Sequence, residues 1–431
     1  MQQHKEQRMG KFINPNLRFV EQFLAHFKPC FTTKQWPMFR QYIYGAFADY
    51  KRPSIEAFAE QLNISYQRLQ YFFSEADWDI KELNTIRLKI LSLQPTTRAT
   101  SCGVLAIDDT ACPKPYAKDT EGAKIQYCGP LKREENCNVA VASCFVSESK
   151  HFPVEFKSYL PVGTVKAEDF KSKLDLAKDL LEDAITQNIP VSTVVVDSWY
   201  SSSEFIEFVV SKNVNLISEV KSNRSILFTD PKTRQWKHYS ATALTDIIKT
   251  TFAHKIKNVT IPRKDGSNRS VPIYSFISRI KDCKTQLKII FAFDSWSDFD
   301  EQKAHVLIST DIVSCDKKII STYLLRWGIE QNFRELKDDF AFDQYQVRHQ
   351  KQIQRHWILS FLAWSIAYWI KQNACLSKII LEPPQNIAQC KKAVGLLLIF
   401  DSTRLLSKNP TLSASLAGIK SSRFADPPKT N

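Results

Sequence analysis

The stretch Ser321–Asp339, STYLLRWGIEQNFRELKDD, decides how the rest of this chain is interpreted. Ser321 and Thr322 are favoured N-cap residues, so the pattern predicts one helix that begins there. An ideal helix turns by about 100° per residue. This rotation places four polar side chains on one narrow stripe: Tyr323, Arg326, Glu330 and Lys337. A carboxylate flanked by two cations and a phenol suits a surface that handles phosphate groups.

The same stripe is compatible with a solvated helix face that is held by ion pairs between residues three or four apart. Glu335 lies roughly 140° from Glu330 around an ideal helix. We therefore take Glu330 as the working acid of this segment, and look for its partners elsewhere in the chain.

Charge and cysteine usage restrict the class of protein. Lys and Arg total 59 against 45 Asp and Glu, a net charge of +14, which favours a polyanionic partner, nucleic acid before a membrane surface. The ten cysteines include no CxxC pair and the histidines form no zinc pattern, so we expect buried thiols in a reducing cytosol. The N-terminus carries no apolar signal segment, and the apolar run at 358–370 is too short to cross a bilayer.

The predicted secondary structure changes along the chain. Residues 1–98 show helical spacing of apolar residues, whereas residues 102–220 predict three strands, a helix, a strand, a helix and a strand. That order indicates an α/β sheet with an antiparallel start. Residues 221–288 hold 15 Lys and Arg against four Asp and Glu, which predicts a basic, β-rich insertion. We expect five segments, with boundaries at 1–98, 99–220, 221–312, 313–375 and 376–431.

The stretch Pro53–Glu75 predicts two short helices joined by a tight turn. Ser54 and Ser65 are suitable caps, and Asn63 supplies the turn. This pattern is typical of a helix-turn-helix with four possible DNA-facing residues: Tyr66, Gln67, Arg68 and Gln70. An ordinary helical hairpin packed on the core is the alternative.

Two apolar strands run into aspartates, Val104–Asp109 and Val194–Asp197. Ligands gather at the carboxyl ends of strands in open α/β sheets. Two aspartates and one glutamate there would suit two Mg²⁺ ions about 3.5–4 Å apart. Asp108 and Asp109 compete for the first position, and we favour Asp109 because it lies nearer the predicted strand end. Asp197 could instead be a turn cap.

Two residues separate Tyr323 from Arg326, three separate Arg326 from Glu330, and six separate Glu330 from Lys337. This spacing resembles the Y-R-E-K signature of bacterial insertion-sequence transposases of the DDE type. Other stretches are similar to that family: IDDTACPKPYA at 107–117, VVVDSWYSSSEF at 194–205 and QYQVRHQKQIQRHW at 344–357. The chain departs from the family pattern at Ala111, where glycine is common, and at Ser198-Trp199, where a small pair is usual.

This resemblance implies a ribonuclease-H-like mixed sheet with flanking helices, in which residues 99–220 and 313–375 form the catalytic core, with the insertion between them. It implies Mg²⁺-dependent cleavage of transposon ends and strand transfer into target DNA, with two ions and Mn²⁺ as an alternative. The implied metal-binding and catalytic triad is Asp109, Asp197 and Glu330. The implied DNA-binding residues are Tyr323, Arg326, Lys337, Arg334, Arg348 and Arg68.

The implied partner is double-stranded DNA, comprising terminal inverted repeats and target, with a homodimer pairing two ends in the bacterial cytoplasm, on the nucleoid. A flipped terminal base would stack on an aromatic residue of the insertion, for which Trp236 and Trp296 are candidates, although core packing is the expected role of each. Two alternatives stay open: a non-catalytic DNA-binding protein derived from a transposase, and a nuclease without strand transfer.

Overall fold

The structure is a computed structural model that describes residues 18–48, 55–61, 64–262, 267–293, 304–377, 379 and 382–407. The predicted cap Ser54, the turn residue Asn63, the candidate Trp296 and the C-terminal polar tail lie outside the described residues. No helix within the described ranges is long and apolar enough to cross a membrane.

Helices and strands alternate after a helical start. The strands are β1 Val104–Pro113, β2 Lys124–Cys128, β3 Arg133–Val146, β4 His151–Tyr159, β5 Thr193–Val196, β6 Asn215–Glu219, β7 Ser225–Thr229, β8 Trp236–Ser240, β9 Lys257–Pro262, β10 Asn268–Ser278, β11 Leu287–Ala292 and β12 His305–Ser309. The helices are α1 Arg18–Ala25, α2 Gln35–Ala48, α3 Ile55–Gln61, α4 Tyr66–Ser74, α5 Ile80–Ser92, α6 Lys173–Thr186, α7 Ser203–Ser211, α8 Ala241–Thr251, α9 Asp316–Leu324, α10 Trp327–Phe340, α11 Gln350–Gln372 and α12 Ile387–Ser407.

Strand β1 lies inside the main sheet, between β3 and β5. It pairs antiparallel with β3 and parallel with β5, while β4 pairs antiparallel with β3 and β6 pairs parallel with β5. The resulting order β4-β3-β1-β5-β6 joins three antiparallel strands to two parallel ones. The prediction of a ribonuclease-H-like mixed sheet is therefore confirmed.

The strands of the basic region continue this sheet. Strand β12 pairs antiparallel with β6, and β11, β10 and β9 follow in that order. The basic region is thus rich in strands, as its sequence predicts. The hairpin β7–β8 forms a separate two-stranded sheet, and helix α8, which the sequence analysis did not anticipate, follows it.

The chain forms two compact units. One contains the described residues up to Ile90 together with Asp338–Gln346 and the residues from Arg355 onward; the other contains Leu91–Lys337 and Val347–Gln354. The first unit holds α3 and α4, the predicted helix pair. Ser65 caps α4 as predicted, because its side chain accepts a hydrogen bond from the Arg68 N–H at 3.4 Å.

Helix α4 is amphipathic, since Leu69, Phe72 and Phe73 are buried while the predicted DNA-facing residues are exposed. Its C-terminal end is closed by the guanidinium of Arg355, which donates to the Phe73 carbonyl at 2.9 Å and lies 4.3 Å from the Trp78 ring centre. The packing of its apolar face therefore holds α4 in place with its polar face exposed.

The prediction of one helix over Ser321–Asp339 was wrong. Helix α9 ends at Leu324 and α10 begins at Trp327. Between them, the N–H groups of Leu325 and Arg326 bond three residues back, to Thr322 and Tyr323, at 3.2 and 2.9 Å. Such bonds tighten the turn beyond that of an α-helix, so the expected caps lie inside α9, whose N-cap is Cys315.

Candidate active site

Strands β1 and β5 bring two acids together. Ala106 lies beside Val195 in the parallel register, so the residues two positions further on, Asp108 and Asp197, are neighbours. Adjacent residues on paired strands point to the same side of a sheet. Asp108 and Asp197 therefore face the same side, at the carboxyl end of β5.

Asp109 faces the other side of the sheet. Its Oδ1 accepts from the Tyr200 hydroxyl at 3.0 Å, and its Oδ2 accepts from Lys173 Nζ at 2.8 Å. The reason for favouring Asp109 fails, because β1 does not end there but continues to Pro113. Both aspartates lie near Asp197, since the charge of Asp109 contributes to the raised pKa of Asp197 and the charge of Asp197 to the raised pKa of Asp108. The choice of Asp109 as the first ligand stays a prediction.

Arg326 joins Asp108 to Glu330. Its Nη1 donates to Asp108 Oδ2 at 3.1 Å, and its Nη2 donates to Glu330 Oε1 at 2.6 Å. The side chain of Arg326 is only 14% exposed, whereas that of Glu330 is 33% exposed. Three predicted residues, Arg326, Glu330 and Asp197, thus lie in one cluster with Asp108. We call this cluster the acid pocket: Asp108, Asp197, Glu330 and Arg326.

The acid pocket carries more negative charge than one guanidinium neutralises. Burial, followed by the charges of Asp197 and Asp109, raises the pKa of Asp108 to about 8 despite the attraction of Arg326. Burial also raises the pKa of Asp197, although the Trp199 N–H donates to its Oδ1 at 2.9 Å. Carboxylates held against this repulsion favour a cation.

The donor set fits a hard divalent ion, since all three acids offer oxygen ligands. Among the described residues, however, no three acidic, histidine or cysteine side chains are already gathered as a metal site. Arg326 occupies the position between Asp108 and Glu330 instead.

Close packing positions α10 against the sheet. A Cβ atom added to Gly328 would lie 2.4 Å from a methyl group of Val146, at the end of β3. Further along the helix, Lys337 Nζ donates to the Ala111 carbonyl of β1 at 2.7 Å. Glycine at 328 permits the close approach that brings Glu330 to the acid pocket.

The other predicted DNA-binding residues are dispersed. Tyr323 is 6% exposed, and burial raises the pKa of its hydroxyl. Arg334 and Arg348 are exposed, while Arg68, also exposed, belongs to the other compact unit. Trp236 is 63% exposed on the β7–β8 hairpin, so the expected core packing of its ring was wrong.

Sequence reasoning missed Tyr200 and Lys173. Tyr200 is fully buried, and its hydroxyl is committed to Asp109. Lys173 gave no signal, since it is 64 residues from Asp109 in sequence.

Comparison with known proteins agrees with this arrangement. Residues 26–244 match the family described as DDE superfamily endonuclease, and residues 150–366 match the family described as transposase DDE domain. A probable transposase for insertion sequence element IS701 from Microchaete diplosiphon is 28% identical over 217 residues, which are 49% of this chain and 56% of that relative. The chain therefore spans about half the length of the relative it matches. The fold, the acid pocket and these matches together place the chain in the DDE superfamily of endonucleases and transposases.

Proposed function

We propose that the chain is a DNA transposase that cuts the ends of a mobile element and joins them to target DNA by phosphoryl transfer. The observation that carries this proposal is the acid pocket: Asp108 on β1, Asp197 directly after β5, and Glu330 on α10, which shares Arg326 with Asp108. The assignment to the Y-R-E-K branch stays a prediction.

Superfamily membership implies dependence on a divalent metal ion. We assign its ligands to Asp108, Asp197 and Glu330, and the ion to Mg²⁺, with two ions and Mn²⁺ as an alternative. When bound, such ions activate the attacking oxygen and stabilise the leaving one. Asp109 supports the site by fixing Tyr200 and Lys173 on the opposite side of β1.

Arg326 has the geometry of a phosphate clamp. Two of its donors now bind carboxylates, and its Nε is buried without a hydrogen-bond acceptor among the described residues. A guanidinium fork matches the oxygens of a phosphate as well as those of a carboxylate. Arg326 would therefore orient the scissile phosphate. Lys337 and Tyr323 would help to hold the neighbouring helices in place, and they would add a positive charge and a hydroxyl group, respectively, near that phosphate.

The partner in this proposal is double-stranded DNA. The exposed residues of α4, among them Arg68, would contact terminal repeats, and Arg334 and Arg348 would contact the backbone. The net charge of +14 favours such binding. Since two ends must be joined to one target, we expect a homodimer on DNA.

The test compares two glutamates of α10. Glu330→Gln should abolish cleavage of a duplex that carries the inverted repeats bracketing the gene, while end binding stays within about twofold, because cationic contacts dominate affinity. Glu335→Gln is the matched control: Glu335 lies on the same helix but bonds His151 at 2.9 Å, so this variant should still cleave.

Each other outcome has a defined meaning. Full cleavage by Glu330→Gln would remove Glu330 from the mechanism. Cleavage by the unaltered protein without joined products would identify a nuclease that lacks strand transfer. Binding without any Mg²⁺-dependent nicking would identify a non-catalytic DNA-binding protein.

A further inference from the structure

Strand β2 lies at one end of the main sheet and has no part in the proposed chemistry. Within the described residues it pairs only with β3, which separates it from β1. Its side chains Ile125 and Tyr127 are 70% and 66% exposed. A strand at a sheet edge offers backbone N–H and C=O groups to any strand that comes alongside, and charged side chains, prolines or bulges usually protect such edges.

The polar side chains of β2 do not protect this edge. Lys124 Nζ donates to the Val162 carbonyl at 3.0 Å, and the Gln126 amide donates to the Cys137 carbonyl of β3, also at 3.0 Å. Cys128 is fully buried in an apolar cluster that includes Cys137. Since side chains alternate along a strand, these three residues share one side of β2, and the two exposed apolar residues share the other.

The sequence of β2, KIQYC over Lys124–Cys128, is complementary to itself when two copies run antiparallel. With Gln126 opposite its own copy, Ile125 of each chain lies opposite Tyr127 of the other, and the lysine at one end lies opposite the cysteine at the other end. Pairs of an aromatic and a β-branched residue stabilise antiparallel strands, and no like charges meet in this register. Moving the centre of symmetry by one residue in either direction would break both apolar pairs.

We propose that β2 is the interface through which two copies of this chain associate, as antiparallel neighbours in one continuous sheet. The same five residues serve both copies, as in any two-fold symmetric contact. The two-fold axis of such a pair is perpendicular to the sheet, so the same face of each sheet points to the same side. The side of β1 that carries Asp108 is thus turned the same way in both copies, with only β3 between β1 and the shared edge.

This arrangement gives the homodimer of the proposed function a contact surface. It rests on that function for its role, which is to hold two DNA ends at once, whereas the contact itself is argued from β2 alone. A strand of five residues offers less area than the roughly 800 Å² per partner that stable interfaces bury. We therefore expect exchange between monomers and dimers in the free protein, and a firmer pair when one DNA molecule holds both copies.

The test measures self-association of the full chain without DNA, by sedimentation velocity over a series of protein concentrations. The unaltered protein should pass from monomers to dimers as the concentration rises. Ile125→Lys combined with Tyr127→Lys sets like charges opposite each other across the interface and should weaken association by about tenfold or more. Val210→Lys combined with Val313→Lys is the matched control, because it adds the same charge at exposed positions outside β2 and should leave association unchanged.

An exchange of charges tests the register. Ile125→Lys combined with Tyr127→Glu sets opposite charges across both pairs and should restore association. The double lysine variant mixed with the variant that carries Ile125→Glu and Tyr127→Glu should form mixed dimers, although each alone stays mostly monomeric. If neither combination restores association, or if the unaltered protein is monomeric at every concentration, the interface is overturned.

DNA binding and cleavage are measured separately, on duplexes that carry the inverted repeats bracketing the gene. If the charge variants change self-association as expected while the unaltered protein cleaves no duplex, the interface stands and the proposed function fails. If the double glutamate variant loses DNA affinity but associates like the unaltered protein, β2 is a DNA contact and the interface is overturned.

Discussion

At the scale of single residues, the composition of the acid pocket depends on which side of β1 each aspartate faces. Two adjacent aspartates occupy β1, and their side chains point to opposite sides of the strand. The sequence favoured Asp109 over Asp108 as the partner of Asp197 and Glu330, but it placed the end of the strand too early. The register of β1 with β5 turns Asp108 to the pocket and Asp109 to Lys173 and Tyr200. No local pattern reveals that register, because it depends on a strand about 90 residues further along.

The raised pKa of Asp108 leads to a prediction about stability. A carboxyl whose pKa is near 4 when unfolded and about 8 when folded stabilises the folded state fully at low pH. That contribution is lost as the pH rises towards 8. Asp108→Asn should therefore unfold at a higher temperature than the unaltered protein at about pH 9, and at a similar temperature near about pH 4.

Asp108→Asn and Asp109→Asn together test the assignment of the metal ligands, with the melting temperature as the measured quantity. Addition of Mg²⁺ should stabilise the unaltered protein and Asp109→Asn, but not Asp108→Asn. Cleavage by Asp109→Asn should fall by about 10- to 100-fold, as for a supporting residue, and cleavage by Asp108→Asn should fall further. The reverse order of the two variants would restore Asp109 as the ligand.

At the scale of elements, buried strands were the most predictable feature and transitions between elements the least. The apolar runs at β1, β3, β5 and β6 could be identified because both faces of these strands are covered. Strand β2 escaped notice because it is an edge strand with exposed Ile125 and Tyr127. The break between α9 and α10 escaped notice because apolar spacing continues through it, although its hydrogen bonds tighten.

Gly328 provides the prediction at this scale. A methyl group there would collide with Val146, so Gly328→Ala should move α10 off the sheet, cost about 1–3 kcal/mol of stability and reduce cleavage more than DNA binding. Gly129→Ala is the matched control, because nothing lies within 4 Å of an added Cβ there, and its stability should change by less than about 0.5 kcal/mol. Chemical denaturation and cleavage assays measure both. Normal cleavage by Gly328→Ala would show that the close approach is not needed.

At the scale of the whole molecule, the excess of positive charge is the property that composition alone revealed. It favours a polyanion but says nothing about sequence preference, because phosphate contacts carry no base information. Recognition of particular ends must come from an element such as the polar face of α4.

The dependence of DNA affinity on salt concentration tests this distinction between phosphate contacts and recognition of particular ends. The logarithm of the affinity for end DNA should fall linearly with the logarithm of salt concentration. Arg334→Ala and Arg348→Ala should each make that slope shallower by about one and weaken binding to all sequences alike. Arg133→Ala serves as the control, since Arg133 is paired with Glu135 at 2.7 Å and its loss should leave the slope unchanged. Fluorescence anisotropy titrations give the slopes, and equal slopes for all four proteins would contradict the assignment.

The continuity of the main sheet has a consequence for how such a chain can be altered. Strand β12 pairs with the outer side of β6, so the basic region is continuous with the sheet that carries the acid pocket. Deleting that region would expose the unpaired backbone N–H and C=O groups of β6, which could then pair with a strand of another chain. Shortening the protein is therefore safer at the loop between β7 and β8, because these two strands belong to a separate two-stranded sheet.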